Sequence, residues 1–134
     1  MKTIKKIIAA SFIAMSLMTY SQNKRQVLGV ISIDTKGNSF NREALLTSVR
    51  MEAEKLDTFQ VIDKYDIEQA LEKNSLSTGN CFGKNCLVEM GSLLKADLML
   101  TGSVEQLERN IIISYRLIDV KSGAITKTYA REFL

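Results

Sequence analysis

The feature that most constrains this chain is a change of hydrophobic period about two-thirds of the way along it. Up to residue 94, short apolar runs alternate with helical stripes; beyond residue 96 only strand-like runs remain. Residues 27–34 (VLGVISID) form a nearly continuous apolar run rich in β-branched side chains, the pattern of a strand covered on both faces. Turn residues 35–39 follow, and Asn41 is placed to cap a helix with Glu43 in its first turn and Lys55 near its end. Leu45, Val49, Ala53 and Leu56 recur along it at helical spacing, so one face is expected to be buried. Residues 59–63 (FQVID) read as a second strand, and a helical crossover makes it parallel to the first.

Asp66 and Gln69 form a capping-box-like pair for a second helix, with Ile67, Ala70 and Leu71 on one side. Leu87, Met90, Gly91 and Leu94 mark a third, in which Gly91 lets the backbone approach a sheet closely. Residues 96–104 (ADLMLTGSV), 111–120 (IIISYRLIDV) and 124–133 (AITKTYAREF) then read as strands. Lys121, Ser122 and Gly123 form the last hairpin turn. The order β-α-β-α-α-β-β-β predicts an α/β fold: a mixed sheet of about five strands packed with helices.

Residues 1–21 read as an export leader. Lys2, Lys5 and Lys6 give a positive start, residues 7–18 are apolar, and Thr19 and Ser21 are small enough for cleavage after Ser21. The apolar run falls short of the roughly twenty residues that a membrane-crossing helix needs. No cysteine lies near the junction to carry a lipid, so the mature chain, beginning at Gln22, is not expected to be a lipoprotein. Three of the 18 basic residues and none of the 15 acidic ones fall in the leader, which leaves residues 22–134 without net charge. With no basic stripe, nucleic acid is not an expected partner.

The chain has no histidine, so it lacks the commonest general base and metal ligand. Asp34, Asp63, Asp66, Asp97 and Asp119 fall at strand ends or helix caps, where structural duty is the better reading. Phe59, Tyr115 and Tyr129 are placed for core packing, and the glycines form neither a dinucleotide fingerprint nor a phosphate loop. No cofactor, metal or catalytic residue is expected. Cys81 and Cys86 flank a four-residue gap, unlike the two-residue gap of thioredoxin-like motifs. In an exported chain a disulfide is the leading reading, with free thiols and a redox or metal site as alternatives.

The final hairpin is the one segment open to confusion with a membrane β-hairpin. Lys127 and Arg131 on one face of its second strand, and Glu132 on the other, favour a solvated sheet with Ile125, Tyr129 and Phe133 inward. Direct membrane insertion is therefore not expected.

Residues 80–104, with Cys81 and Cys86 ahead of Glu89, Gly91, Ala96, Asp97 and the run Gly102-Ser103-Val104, resemble a signature of the curli-secretion CsgG family. Residues 115–123 (YRLIDVKSG) are similar to that family's hairpin, and residues 27–34 to its opening strand. The resemblance implies a soluble periplasmic core module, without a lipid anchor or membrane hairpins. It would serve as a non-catalytic protein-interaction module in envelope assembly, export or its regulation, partnered by envelope proteins and compatible with a homo-oligomer. The alternative is a small thiol-disulfide oxidoreductase using Cys81 and Cys86.

Overall fold

The computed structural model describes residues 24–35 and 39–134; the leader, its cleavage site and the middle of the first turn lie outside them. Eight elements follow in the expected order: β1 (Gln26–Asp34), α1 (Arg42–Glu54), β2 (Phe59–Val61), α2 (Lys64–Lys73), α3 (Lys84–Leu93), β3 (Leu98–Leu107), β4 (Asn110–Asp119) and β5 (Ile125–Phe133). They build one five-stranded mixed sheet in the order β2-β1-β3-β4-β5. β1 is parallel to both β2 and β3, as helical crossovers require, while β3, β4 and β5 run antiparallel through hairpins.

Local chemistry sets the helix starts. Asn41 Oδ1 accepts a hydrogen bond from the Ala44 amide at 3.0 Å and caps α1. For α2 the cap is Asp63, whose carboxylate accepts from the Tyr65 amide at 2.7 Å as the chain leaves β2 in an extended conformation. Asp66 is therefore a first-turn residue, favourably placed on the helix dipole, and does not cap. The stripe of α1 also ends sooner than its spacing suggested. The helix stops at Glu54, and Leu56 is left 55 % exposed.

Helices cover the sheet on both faces. On one face α1 packs Leu46 and Ala53 against Leu28, Val30 and Ile33 of β1 and Leu98 and Val104 of β3. On the other, Ile67 of α2 and Leu87 and Met90 of α3 meet Ile31, Met99, Ile118 and Val120. A β-bulge lets β1 serve both clusters: its register against β3 shifts between Val30 and Ser32, returning Ile33 to the α1 side. Gly91 has the expected role. A Cβ there would lie 2.5 Å from Val120 Cγ2 and 2.8 Å from Met99 Cγ, so α3 can sit this close to the sheet only with glycine.

The turn from β4 to β5 is held by Asp119. Its Oδ1 accepts from the Ser122 amide at 2.7 Å and the Ser122 hydroxyl at 2.8 Å, and Gly123 takes a left-handed φ of 68°. The Ser122 amide, then its hydroxyl, holds the Asp119 carboxyl below the usual aspartate range. Since the folded value lies below the unfolded one, this stabilisation is complete above the unfolded value, about 4, and is lost as pH falls through the folded one. The difference in melting temperature between the wild type and Asp119→Asn should be steady near neutrality and shrink below about pH 4. A difference that persists unchanged into acid would assign it to packing.

Candidate protein-docking surface

Among the described residues, the connectivity of the sheet leaves half of one face uncovered. α1 belongs to the β1-to-β2 crossover and lies over those strands, whereas β3, β4 and β5 are joined by tight hairpins that supply no covering element. Register puts Leu100, Gly102 and Val104 of β3 beside Leu117, Tyr115 and Ile113 of β4. The next row is Lys127, Tyr129 and Arg131 of β5. Between this face and α1 runs an open groove of about 650 Å³. Leu45 and Val49 of α1, with Leu56 just past its end, form one wall, Leu100, Val104, Ile113, Tyr115 and Leu117 the floor, and Glu52 and Lys127 a charged rim.

Further out, Tyr115 and Tyr129 stack with ring centroids 5.0 Å apart, and the Arg131 guanidinium lies 5.3 Å from the Phe133 ring. All nine residues of β5 are exposed. Ile125, Tyr129 and Phe133 were expected inward; they are 44 %, 39 % and 42 % exposed, because β5 is the edge strand beside β4 and none of the described helices packs closely on it. Ile125 even lies on the opposite face, opposite Ile118, after a register shift. Ile113 is 37 % exposed. Phe59 and Tyr115 are half-buried, so of the three aromatics singled out in the sequence only Tyr129 departs clearly from a packing role.

The carboxylates noted in the sequence are spread out. Asp63 caps α2, Asp66 occupies its first turn, and Asp119 holds the last hairpin turn. Asp97 Oδ2 accepts from the Val27 amide at 2.8 Å, and Asp34 ends β1. Among the described residues no three His, Cys, Asp or Glu side chains gather as a metal site.

One polar arrangement escaped the sequence reading. Arg50 of α1 donates from Nε and Nη2 to the Val30 carbonyl, at 3.0 and 2.7 Å, near the end of the three-residue β2. Burial lowers the Arg50 pKa, against the opposing pull of Glu43, Asp63 and Glu68. Lys64 bridges Glu43 and Glu68 at 3.5 Å each, exposed pairs that contribute little to stability.

A disulfide joins Cys81 to Cys86, with Cα atoms 5.6 Å apart, at the entrance to α3. Its loop is tied to three elements. The Ser32 hydroxyl donates to the Cys81 carbonyl, Arg116 to the Phe82 carbonyl at 2.9 Å, and Arg42 to the Gly79 carbonyl at 3.2 Å. The Arg42 guanidinium also lies 5.5 Å from the Phe82 ring. Cys81 is 2 % exposed, which sets it apart from reactive cysteines in accessible, electropositive surroundings. The thiol-disulfide oxidoreductase reading is accordingly unsupported. Replacing both cysteines by serine should lower stability by about 2 kcal/mol, the entropy of so short a loop. Urea unfolding of the oxidised protein and the double variant measures it.

Against solved structures, the chain is similar to the LpoB C-terminal domain from Escherichia coli (TM-score 0.71, 16% identity, covering 92% of this chain and 93% of that one). The same domain from Salmonella enterica gives a TM-score of 0.68 at 16% identity, over 90% and 91% of the two chains. Lipoprotein GNA1162 from Neisseria meningitidis gives 0.64 at 11% identity, over 81% and 79%. No family model matches, and no curated protein does.

These findings overturn the resemblance to the curli-secretion CsgG family. The residues that carried it do work that the architecture itself demands: Gly91 admits α3, Ala96 is buried, Asp97 binds the start of β1, and Asp119 and Gly123 make a turn. Such positions report a fold without singling out that family. GNA1162 is a lipoprotein by name, so the expectation that this chain carries no lipid gains no support from its neighbours. What the comparison supports is a shared architecture: this chain has the fold of the LpoB C-terminal domain along nearly its whole length.

Proposed function

We propose that this chain is a non-catalytic docking module of the cell envelope, exported to the periplasm by residues 1–21, that takes an apolar segment of an envelope protein into the groove between α1 and β3–β5. The observation that carries this reading is the groove itself. Its floor is aliphatic and aromatic and its rim charged, the make-up of a protein-binding patch. Likeness in fold to LpoB and to a named lipoprotein supports the envelope setting. The positive start, short apolar run and small residues of the leader support export.

The test is site-specific photo-crosslinking in the native envelope, with the probe at Tyr129 beside the groove or at Glu89, exposed on α3. The Tyr129 probe should give a discrete protein adduct that disappears when Ile113→Arg is added with the far-ultraviolet circular dichroism unchanged. The protein should be released by osmotic shock with its N-terminus at or near Gln22. Adducts from Glu89 and none from Tyr129 would place the partner elsewhere and sink the reading.

A further inference from the structure

β5 is the last strand of the sheet, nine residues long, with no proline and with its outer edge unpaired by any described element. Such an edge is a template for another strand. On the groove face it presents Lys127, Tyr129, Arg131 and Phe133, an alternation of cation and aromatic ring. We propose that this edge pairs with β5 of a second copy of the chain, antiparallel about a two-fold axis at Ala130, to make a continuous ten-stranded sheet. This interface uses the strand edge and goes beyond docking in the groove, so either can fail alone.

The register follows from charge. In a two-fold antiparallel pair, directly opposed residues share a face of the pleat, so the axis must fall on a residue. An axis at Lys127 or Arg131 sets that cation against its own copy, and an axis at Tyr129 sets Lys127 against Arg131 twice; like charges directly opposed destabilise a sheet. An axis at Thr128 avoids this but brings Arg131 to the register shift before Lys127, where Ile125 lies on the opposite face and leaves it no partner. With the axis at Ala130, Lys127 opposes Phe133 and Arg131 opposes Tyr129, and the symmetry repeats both pairs. Every cation on that face then meets an aromatic ring, as Arg131 already does with Phe133 within one chain. On the opposite face Thr128 opposes Glu132, a donor against an acceptor. The remaining like charges lie on diagonals roughly 7–8 Å apart, where water and salt screen them.

The full-length exported protein is tested by sedimentation equilibrium across a concentration range and by single cysteines on β5. Cys81 and Cys86 are bonded to each other and leave no free thiol among the described residues to interfere. The average mass should rise with concentration from one chain towards two. Ala130→Cys should form a disulfide-linked dimer under mild oxidation, because opposed Cα atoms in an antiparallel pair are about 4.5–5.5 Å apart, within disulfide reach. Thr128→Cys should give none under the same conditions, and Thr128→Cys with Glu132→Cys should restore crosslinking. A protein that remains one chain at every concentration overturns the interface. A dimer that crosslinks through Thr128→Cys and not Ala130→Cys overturns the register. Neither result touches groove docking, because an adduct between two copies has twice the mass of one chain, whereas the Tyr129 adduct that reads the groove must carry a different protein.

Discussion

Met99→Ala is expected to lower the unfolding free energy by about 2–5 kcal/mol, the range for removing a large buried side chain without collapse of the site. Met99 is fully buried at the contact between the sheet and α3, in space that two glycines leave open. A Cβ on Gly29 would lie 2.5 Å from its Sδ, and one on Gly91 2.8 Å from its Cγ. The walls of the resulting cavity belong to strands and a helix that are fixed by their own hydrogen bonds, so relaxation is limited. A loss of that size is a large share of the about 5–15 kcal/mol that holds a typical domain together. The shared space also predicts how two changes combine. Gly29→Ala alone must displace the Met99 thioether, at about 1–3 kcal/mol for overpacking. Placed on Met99→Ala, the same methyl has its next neighbour, Ala96 Cβ, at 3.7 Å, an ordinary contact. The double variant should therefore lose less than the sum of the two single losses in urea unfolding. Simple additivity would show that the two side chains do not compete for this volume.

Gly102→Val is expected to be at least as damaging, at or above the upper end of the about 1–3 kcal/mol usual for overpacking. Here the obstacle is main chain. A Cβ on Gly102 would come within 2.2 Å of the Ser114 carbonyl oxygen and 3.3 Å of Tyr115 Cα, both backbone atoms of β4. Neither can rotate away, so β3 and β4 would have to part where Gly102 opposes Tyr115. Hydrogen exchange of the β4 amides should accelerate, and the Tyr129 photo-crosslink should weaken, since Tyr115 and Tyr129 would move with the displaced strand. Gly79→Ala, with only Ser77 Oγ within 4 Å, at 3.6 Å, is the control and should stay within about 0.5 kcal/mol of the wild type. Unaltered β4 exchange in Gly102→Val would mean that the strand pair absorbs the methyl groups elsewhere.

The candidate site was half legible in the sequence. The run 111–120 read as a strand, and alternate residues of it, Ile113, Tyr115 and Leu117, belong to the floor of the groove. Whether that face was covered was not legible. Ile125, Tyr129 and Phe133 have the composition of inward positions, yet all three are exposed. The same limit applied to Leu56, whose spacing continued the stripe of α1 after the helix had ended. It applied also to the family resemblance, since its motifs were demands of packing and turn geometry that similar folds can share.

What the chain determines by itself is local and periodic: the order of the eight elements, the parallel crossover between β1 and β2, the Asn41 cap, the hairpin turn at Gly123 and the tight approach at Gly91. Each depends on residues close in sequence or on the chirality of a short connection, so a linear reading reaches them. The tertiary structure alone decided the bulge that gives β1 to both clusters, the Arg50 bonds to the Val30 carbonyl and the exposure of β5. Those depend on which element lies over which face. A strand's pattern records that it has an apolar side, while the lack of a described helix over the groove face of β3–β5 follows from hairpin connections that place none there.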